Sequence, residues 1–331
     1  MKADVQRLLN WNDCVDAMES ALVAATNSTK TDDKPFSSQT ARSFTPVPGK
    51  GVLLSMPGFV GNYTLSGETG TLKHSTLACK LVTSFRGNSQ LNPSLPNILA
   101  TIVLLDSETG QLKAVCEATE ITAWRTAAVS LAATKHLFYK SRMNSSGYSL
   151  AVLGSGTQGR IHAIGMLSFF PNFFSRVTLW NRTKKRAETL RDELKKLFPS
   201  VTINVVDFSK DCVKNSDVIC TATGSNEPLF NKSDLKTNSP VHINAIGAGE
   251  YHHLEVHMDV YKSSKVYIES KLGLQTELKG IASYVNGEIG EVISGRVAVP
   301  SHPPTTFFQS MGSSLEDAVM ANLIYQKYIK L

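Results

Sequence analysis

The sequence is short of several things, and each shortage closes off a class of protein. Its five cysteines, Cys14, Cys79, Cys116, Cys212 and Cys220, are an odd number with no C-x-x-C pair. They read as reduced, buried thiols of a cytosolic protein, not as a disulfide framework. No apolar stretch approaches the roughly 18 residues a membrane-spanning helix needs. Charged residues make up 19% against 42% hydrophobic, and no low-complexity tract appears, so the chain is not expected to be disordered. The longest basic run is 184–186, without an aromatic-and-basic RNA-type motif. The net charge of +6 therefore points to a small anionic ligand and away from nucleic acid. A G-x-S-x-G elbow is absent, which leaves a serine hydrolase without support. His252, His253 and His257 match no H-E-x-x-H spacing and have no cysteine near them, so no metal site is expected. Residues 1–20 are amphipathic but carry Asp4, Asp13, Asp16 and Glu19, unlike a signal peptide, and the expected location is the cytoplasm.

What is present is a glycine turn in a telling place. Residues 149–153 form a short apolar, partly β-branched run, long enough for one buried parallel strand. It leads into Gly154-Ser155-Gly156-Thr157-Gln158-Gly159, a full G-x-G-x-x-G, and then into Ile161, Ile164, Leu167 and Phe170 at helical spacing. Gly154 permits the tight turn, Gly156 lets a pyrophosphate approach the backbone, and Gly159 lets the helix pack close to its strand. The first amides of the helix and the positive end of its dipole then face the phosphates. Alone, such a pattern also fits a surface turn; set between strand and helix, it marks a dinucleotide site.

The next strand, 176–180, ends in Asn181-Arg182-Thr183. NAD sites carry a carboxylate roughly 20 residues past the glycines, bound to the ribose 2′-hydroxyl. Here that position, 22 residues past Gly159, is Asn181, followed by Arg182. A carboxylate would repel a 2′-phosphate, whereas arginine offers it a fixed fork of donors. Lys184, Lys185 and Arg186 add positive charge, with Lys185 and Arg186 read as a solvated helix start. The expected cofactor is NADPH.

Two domains are the natural expectation for 331 residues. Before the glycine turn come a helix over 3–26 and strand-like segments at 39–47, 51–56, 77–84 and 98–106. Ser107-Glu108-Thr109-Gly110 is a hairpin signal joining the last of these to 111–117, and a helix over 121–137 follows. Strands at 149–153, 176–180, 201–206, 217–222, 241–246 and 265–269 then alternate with helical patterns. The segment 300–304 breaks the pattern. The last helix, 314–328, has no partner inside the nucleotide fold and is expected to return to the first domain. The fold class is therefore α/β: a Rossmann-type doubly wound parallel sheet, residues 127–305, inserted into a smaller α+β domain, residues 1–126 completed by 306–331.

Three cations of the smaller domain stand in otherwise apolar surroundings. Arg42 lies in a β-prone stretch, Lys80 between Cys79 and Leu81-Val82, and Arg125 beside Trp124 in a helix. Such charges are expensive to bury without an anionic partner. Each alone could snorkel to the surface or join an internal ion pair. Three together suggest a clamp for a substrate carboxylate, the arginines supplying bidentate geometry and the lysine a point charge.

Several segments taken together resemble the ornithine cyclodeaminase/mu-crystallin family. They are Lys80-Leu81-Val82-Thr83, Ile121-Thr122-Ala123-Trp124-Arg125-Thr126-Ala127-Ala128, and the glycine turn with Trp180-Asn181-Arg182-Thr183. Further along come His242-Ile243-Asn244-Ala245-Ile246-Gly247-Ala248, Gly290-Glu291-Val292-Ile293-Ser294-Gly295, and Ser310-Met311-Gly312 with Leu315-Glu316-Asp317. The resemblance implies a substrate-binding and dimerisation domain, a homodimer, and an active site between the domains. It places Arg42, Lys80 and Arg125 on the substrate carboxylate; Lys80 and Arg125 are taken as the catalytic pair, with Lys80 the first choice of proton donor and a bound water the second. It puts Ser310 and Gly312 near the substrate and nicotinamide, and Thr221, Ala222, Thr223 and Ile246 along the cofactor cleft. One departure matters. Where ornithine cyclodeaminases carry a catalytic Asp, this chain has Gly249, with Glu250 one residue later. Glycine cannot accept a proton or activate water, so the resemblance favours the family's ketimine reductase activity on cyclic or linear α-carboxylate imines. The alternatives are an ornithine cyclodeaminase or amino-acid dehydrogenase and, in another class, an NADPH-dependent thyroid-hormone-binding protein or crystallin.

Overall fold

The computed structural model describes residues 2–27, 34–65, 72–237, 239–247, 254–274, 277–299 and 305–331. The chain divides into two compact units, Met1–Arg125 with Gly312–Leu331, and Thr126–Met311. Where periodicity predicts one helix over 3–26, two form: α1 (Lys2–Leu8) and α2 (Trp11–Ala25). The break is at Asn10, whose side-chain oxygen accepts from the Asp13 N–H at 2.9 Å. A short polar side chain of this kind competes with helical hydrogen bonds and is favoured at an N-cap. α2 turns Cys14, Val15, Met18, Ala21 and Leu22 into the core of the first unit.

Six antiparallel strands follow: β1 (Phe36–Gln39), β2 (Ser43–Val47), β3 (Gly51–Tyr63), β4 (His74–Ser84), β5 (Ile98–Leu105) and β6 (Leu112–Glu117). Their order is β1-β3-β4-β5-β6, with β2 also on β3. The single strand expected over 39–47 is two, and Arg42 lies on the short link between them. The β5–β6 turn closes on Asp106, whose carboxylate accepts from the N–H groups of Glu108 and Thr109, and on Gly110 at φ +75°. Along β3, β4 and β5 burial alternates with the pleat. Met56, Val60, Ala78, Ile102 and Leu104 are buried, and Lys80 with them. On the opposite face Pro57, Phe59, Leu77, Leu81, Val103 and Leu105 stay partly or fully exposed.

α3 (Thr119–Thr134) contains the boundary between the units and ends in a π turn at Lys135–Tyr139. The second unit then runs β7 (Tyr148–Leu153), α4 (Thr157–Phe169), β8 (Phe174–Trp180), α5 (Lys184–Leu197), β9 (Thr202–Val205), α6 (Ser209–Val213), β10 (Val218–Thr221) and β11 (Val241–Ala245). It finishes with α7 (Met258–Ser263), β12 (Lys265–Ile268), β13 (Val285–Glu288), α8 (Ile289–Ile293) and β14 (Thr305–Gln309). The strands form one parallel sheet, β13-β12-β14-β11-β10-β7-β8-β9. β10 and β11 are buried at every position, as a parallel sheet covered on both faces requires. From β7 the chain steps outward to β8 and β9, then crosses to β10 and steps the other way. The crevice at that reversal is where this fold class binds its ligands.

Two strands of this sheet were not expected. β13 reads Val-Asn-Gly-Glu, a poor strand former by propensity. β14 follows the proline-rich 300–304, which lies outside the described residues. Because β14 pairs with both β11 and β12, the second unit runs to Met311, and 306–311 belong to it instead of to the first. α9 (Ser314–Tyr328) then completes the first unit, packed on α2 and on β3, β4 and β5. Residues 314–324 of α9 are all buried, including Glu316, Asp317 and Asn322. Asn322 donates to Tyr63 Oη at 2.7 Å, which lies 2.6 Å from Thr76 Oγ1. No helix among the described residues is long and apolar enough to cross a membrane.

Two histidines of the second unit are sealed inside it. His162 Nδ1 donates to the Gln158 carbonyl at 2.7 Å, and Nε2 is 3.0 Å from Ser130 Oγ. His242 lies between Thr306 Oγ1 at 2.9 Å and Asn244 Oδ1 at 3.3 Å. Burial lowers His162 to about 4 and His242 to about 3. Unfolded, both would take up protons below about 6.5. Over that window the unfolded state holds more protons, so stability falls as the pH drops below 6.5. For His162 alone the loss is about 3 kcal/mol by pH 4. The expected result is a melting temperature that declines from pH 6.5 to 4, with the decline shallower in a His162→Gln, His242→Gln double variant. An unchanged slope in that variant would show that these histidines do not carry the acid sensitivity.

Candidate active site

The second unit builds a pocket at the strand reversal. Gly154 follows β7 at φ +106°, and its N–H donates to the Trp180 carbonyl at 2.8 Å. A Cβ there would lie 2.4 Å from the Ala222 carbonyl oxygen, so both dihedral and space demand glycine. At Gly159 a Cβ would lie 1.8 Å from the Gly154 oxygen, because the first turn of α4 rests on the loop. Gly156 is the opposite case: nothing lies within 4 Å of where its Cβ would stand. It is also the N-cap of α4 and supplies no capping side chain. The Ser155 hydroxyl oxygen and Gln158 Oε1 are buried without a hydrogen-bond partner among the described residues. An open glycine, a helix N-terminus without a side-chain cap and spare polar atoms fit a pyrophosphate group.

Asn181, at the end of β8, braces this loop. Its Oδ1 accepts from the Ser155 N–H at 3.0 Å and its Nδ2 donates to the Thr183 carbonyl at 2.9 Å. Beside it Arg182, Thr183 and Arg186 line a cavity of about 260 Å3, together with Gly154, Gly156 and the loop 222–225. Neither Arg182 nor Arg186 makes an ion pair among the described residues. Lys184, by contrast, is held by Asp207 at 2.6 Å. Arg186, expected on a solvated face, is thus a lining residue.

Two buried carboxylates that sequence reasoning missed hold segments at the ends of the sheet's strands. Glu255 accepts from Thr221 Oγ1 at 2.9 Å, the Thr223 N–H at 2.6 Å and Thr223 Oγ1 at 2.5 Å, and also from the Gly247 backbone. It thereby ties the end of β10, with Thr221, Ala222 and Thr223, to the end of β11. Ile246 joins the same two strands, its N–H donating to the Thr221 carbonyl at 2.8 Å. Burial raises the Glu255 carboxyl above its ordinary value, against the pull of these donors. Glu269, after β12, accepts from Ser310 Oγ at 2.7 Å and the Met311 N–H at 2.8 Å, fixing the segment after β14. Each is a lone acid in its sequence segment, which no spacing rule singles out.

The first unit builds a separate, cationic site. Lys80 points from β4 with Met56 and Ile102 as its strand neighbours, and its Nζ is 2.6 Å from Asp317 Oδ2. Arg125 Nη1 is 2.7 Å from Glu316 Oε2, and its Nε is 3.3 Å from Asp317 Oδ1. Arg42 Nη2 donates to the Gly312 carbonyl at 3.0 Å. Gly312 sits at φ +78°, and a Cβ on it would be 2.7 Å from Arg125 Nη1. The three cations that the sequence singles out therefore meet: Lys80 and Arg125 share Asp317, while Arg42 and Arg125 flank Gly312. Burial lowers Lys80 to about 8, against the opposing attraction of Asp317. Ser313 caps α9, and its acids lie in the first turn, where the helix dipole favours them. Gly249, Glu250, His252 and His253 lie outside the described residues. His257 caps α7, and no group of three or more metal-ligating side chains occurs among the described residues.

Comparison with known proteins shows which sequences and structures this chain is similar to. The sequence pattern of the ornithine cyclodeaminase/mu-crystallin family matches residues 1–330. The ketimine reductase mu-crystallin of Mus musculus is 33% identical over 256 residues, 76% of this chain and 76% of that protein. A Delta(1)-pyrroline-2-carboxylate reductase of Bacillus cereus is 28% identical over 266 residues, 77% of this chain and 78% of its own. The structure of Thermococcus litoralis Delta(1)-pyrroline-2-carboxylate reductase, in complex with NADH and L-proline, shares the fold. Its TM-score is 0.80 at 24% identity, over 99% of this chain and 96% of that one.

Gly156 and Gly159, at the start of α4, should separate fold from ligand. Gly156→Ala has open space around it and should melt within a degree or two of the parent, yet bind NADPH at least tenfold more weakly. Gly159→Ala must push α4 off its loop, an overpacking cost of about 1–3 kcal/mol, and should lower the melting temperature. Unchanged NADPH affinity in Gly156→Ala, read by nucleotide fluorescence, would remove the pocket as the cofactor site.

Proposed function

This chain belongs to the ornithine cyclodeaminase/mu-crystallin family, and from that premise we propose that it is an NADPH-dependent reductase of cyclic or linear ketimines carrying an α-carboxylate. The observation that carries this reading is the meeting of Arg42, Lys80 and Arg125 at Gly312 and Asp317. Arg42 and Arg125 hold the carboxylate and so orient the C=N carbon. Lys80, lowered to about 8 and still largely an ammonium at neutral pH, keeps a proton at Nζ for the imine nitrogen. Bound NADPH would supply the hydride. In the second unit the α4 N-terminus and Gly156 would take the pyrophosphate, with Ser310 bordering the reacting end. Arg182 and Arg186, exposed and without ion pairs among the described residues, are suited to a 2′-phosphate. Holding reactants in this way can contribute several of the about 7–11 kcal/mol available from pre-arrangement.

The relatives named above as a ketimine reductase and a pyrroline-2-carboxylate reductase support this substrate class. Gly249 in place of the cyclodeaminase Asp favours reduction over cyclodeamination. The half-exposed apolar sheet face with Phe59, Leu77, Leu81 and Val103 supports a homodimer, with a second copy as its cover. Thyroid hormone also carries a carboxylate that such a cation cluster could hold, and hormone binding without ketimine turnover would select that alternative.

NADPH should lose absorbance when supplied with Δ1-piperideine-2-carboxylate or Δ1-pyrroline-2-carboxylate, and no turnover of either would remove the proposal. Arg125→Ala should raise KM at least tenfold while leaving NADPH binding intact. Arg182→Ala should weaken NADPH roughly tenfold, the worth of one charge-assisted contact, and leave NADH unchanged. The kcat/KM profile should fall above about pH 8 as Lys80 gives up its proton, and Lys80→Arg should lack that limb.

A further inference from the structure

Of the charged side chains in the first unit, Asp317 touches two of the proposed site residues at once. Its carboxylate is 1% exposed and lies in the first turn of α9. One oxygen is 2.6 Å from Lys80 Nζ and the other 3.3 Å from Arg125 Nε. We infer that Asp317 is the positioning residue of the reductase site, setting the spacing of Lys80 and Arg125 and holding the Lys80 ammonium in its protonated form. The inference rests on the function proposed above but assigns a role to a residue that does not touch the imine.

The surroundings make this one carboxylate decisive. The charged groups facing Lys80 are Asp317 and Glu316 from α9 and Arg125 from α3. Its partners across the sheet, Met56 on β3 and Ile102 on β5, are apolar. Burial and the nearby Arg125 both push Lys80 towards the neutral amine, and Asp317 is the strongest opposing influence. Without it the amine would lose its proton at a lower pH and have none to give to an imine nitrogen. Glu316 differs in its contact: its Oε2 is on Arg125 Nη1, the far side of the guanidinium from Nε. It should serve carboxylate binding more than the proton on Lys80.

The test uses full-length Asp317→Asn, Asp317→Glu and Glu316→Gln. Lys80 is followed directly by NMR in protein carrying 13C-labelled lysine, with Lys80→Arg to identify its signal. In Asp317→Asn the Lys80 midpoint should move down by a pH unit or more, and the alkaline limb of kcat/KM should move with it. Its kcat should fall at least tenfold, more than its KM rises. Asp317→Glu keeps the charge and should restore most of both; Glu316→Gln should raise KM and leave the limb near pH 8. Should Asp317→Asn fail to fold, Asp317→Glu still decides, because the inference requires its limb to stay near the parent's. An unmoved midpoint in Asp317→Asn, or a lost limb in Asp317→Glu, overturns the inference. A parent protein that turns over no ketimine acid overturns the proposed function instead, and the NMR titration still reports on Asp317.

Discussion

A cation can stay charged inside a protein only if a counter-charge is buried with it, and that requirement organises the first unit. Lys80 and Arg125 sit on β4 and α3, where sheet and helix packing strips them of water. Their partners come from α9; the Arg125–Glu316 pair spans 191 residues of sequence. The whole parallel-sheet unit is inserted within that span. Insertion of this kind is tolerated where the chain's exit and re-entry points lie together. Here the chain leaves the first unit at Arg125 and re-enters at Gly312. A Cβ on Gly312 would sit within 2.7 Å of the Arg125 guanidinium. Arg125 and Gly312, the two residues at which the first unit's chain is interrupted, thus both belong to the cationic site.

The second unit also buries anions, pairing Asp217 with Lys236 but meeting two of its glutamates with neutral donors. Glu255 and Glu269 are each satisfied by backbone N–H groups and hydroxyls at the ends of strands. Cations that brace the scaffold elsewhere are paired, as Lys184 is with Asp207 and Arg160 with Glu193. Arg182 and Arg186, without ion pairs among the described residues, face the cavity.

What was legible in the sequence was whatever local physics dictates. The glycine turn at 154–159 declares itself because dihedral, clearance and close packing each admit only glycine or strongly prefer it. The strands β7 and β10 declare themselves as short, mainly apolar runs. Arg42, Lys80 and Arg125 stood out because a charge in apolar surroundings needs a reason. The failures share a cause as well. β13 is a strand by virtue of its neighbours and not its residues. β14 is short and follows prolines that look like an ending. Asn10 splits a helix whose apolar spacing runs straight through it. Glu255 and Glu269 act through donors tens of residues away, and Glu316 and Asp317 could be matched to a family motif without revealing which cations they hold.

Asn181 shows how easily a structural residue can be mistaken for a statement about the ligand. The missing carboxylate at this position reads from sequence as permission for a 2′-phosphate. In the structure both ends of the amide are engaged: its oxygen accepts from Ser155 and its NH2 donates to the Thr183 carbonyl. An aspartate could keep the first bond but would set an anionic oxygen against a carbonyl in place of the second. Asparagine is therefore required by the loop whatever nucleotide binds, and its presence weighs little between NAD and NADP. The weight falls on Arg182 and Arg186, which no fold requirement explains and which line the same cavity. If the 2′-phosphate is recognised here, it is by those two guanidinium groups, with Asn181 holding the floor on which they act.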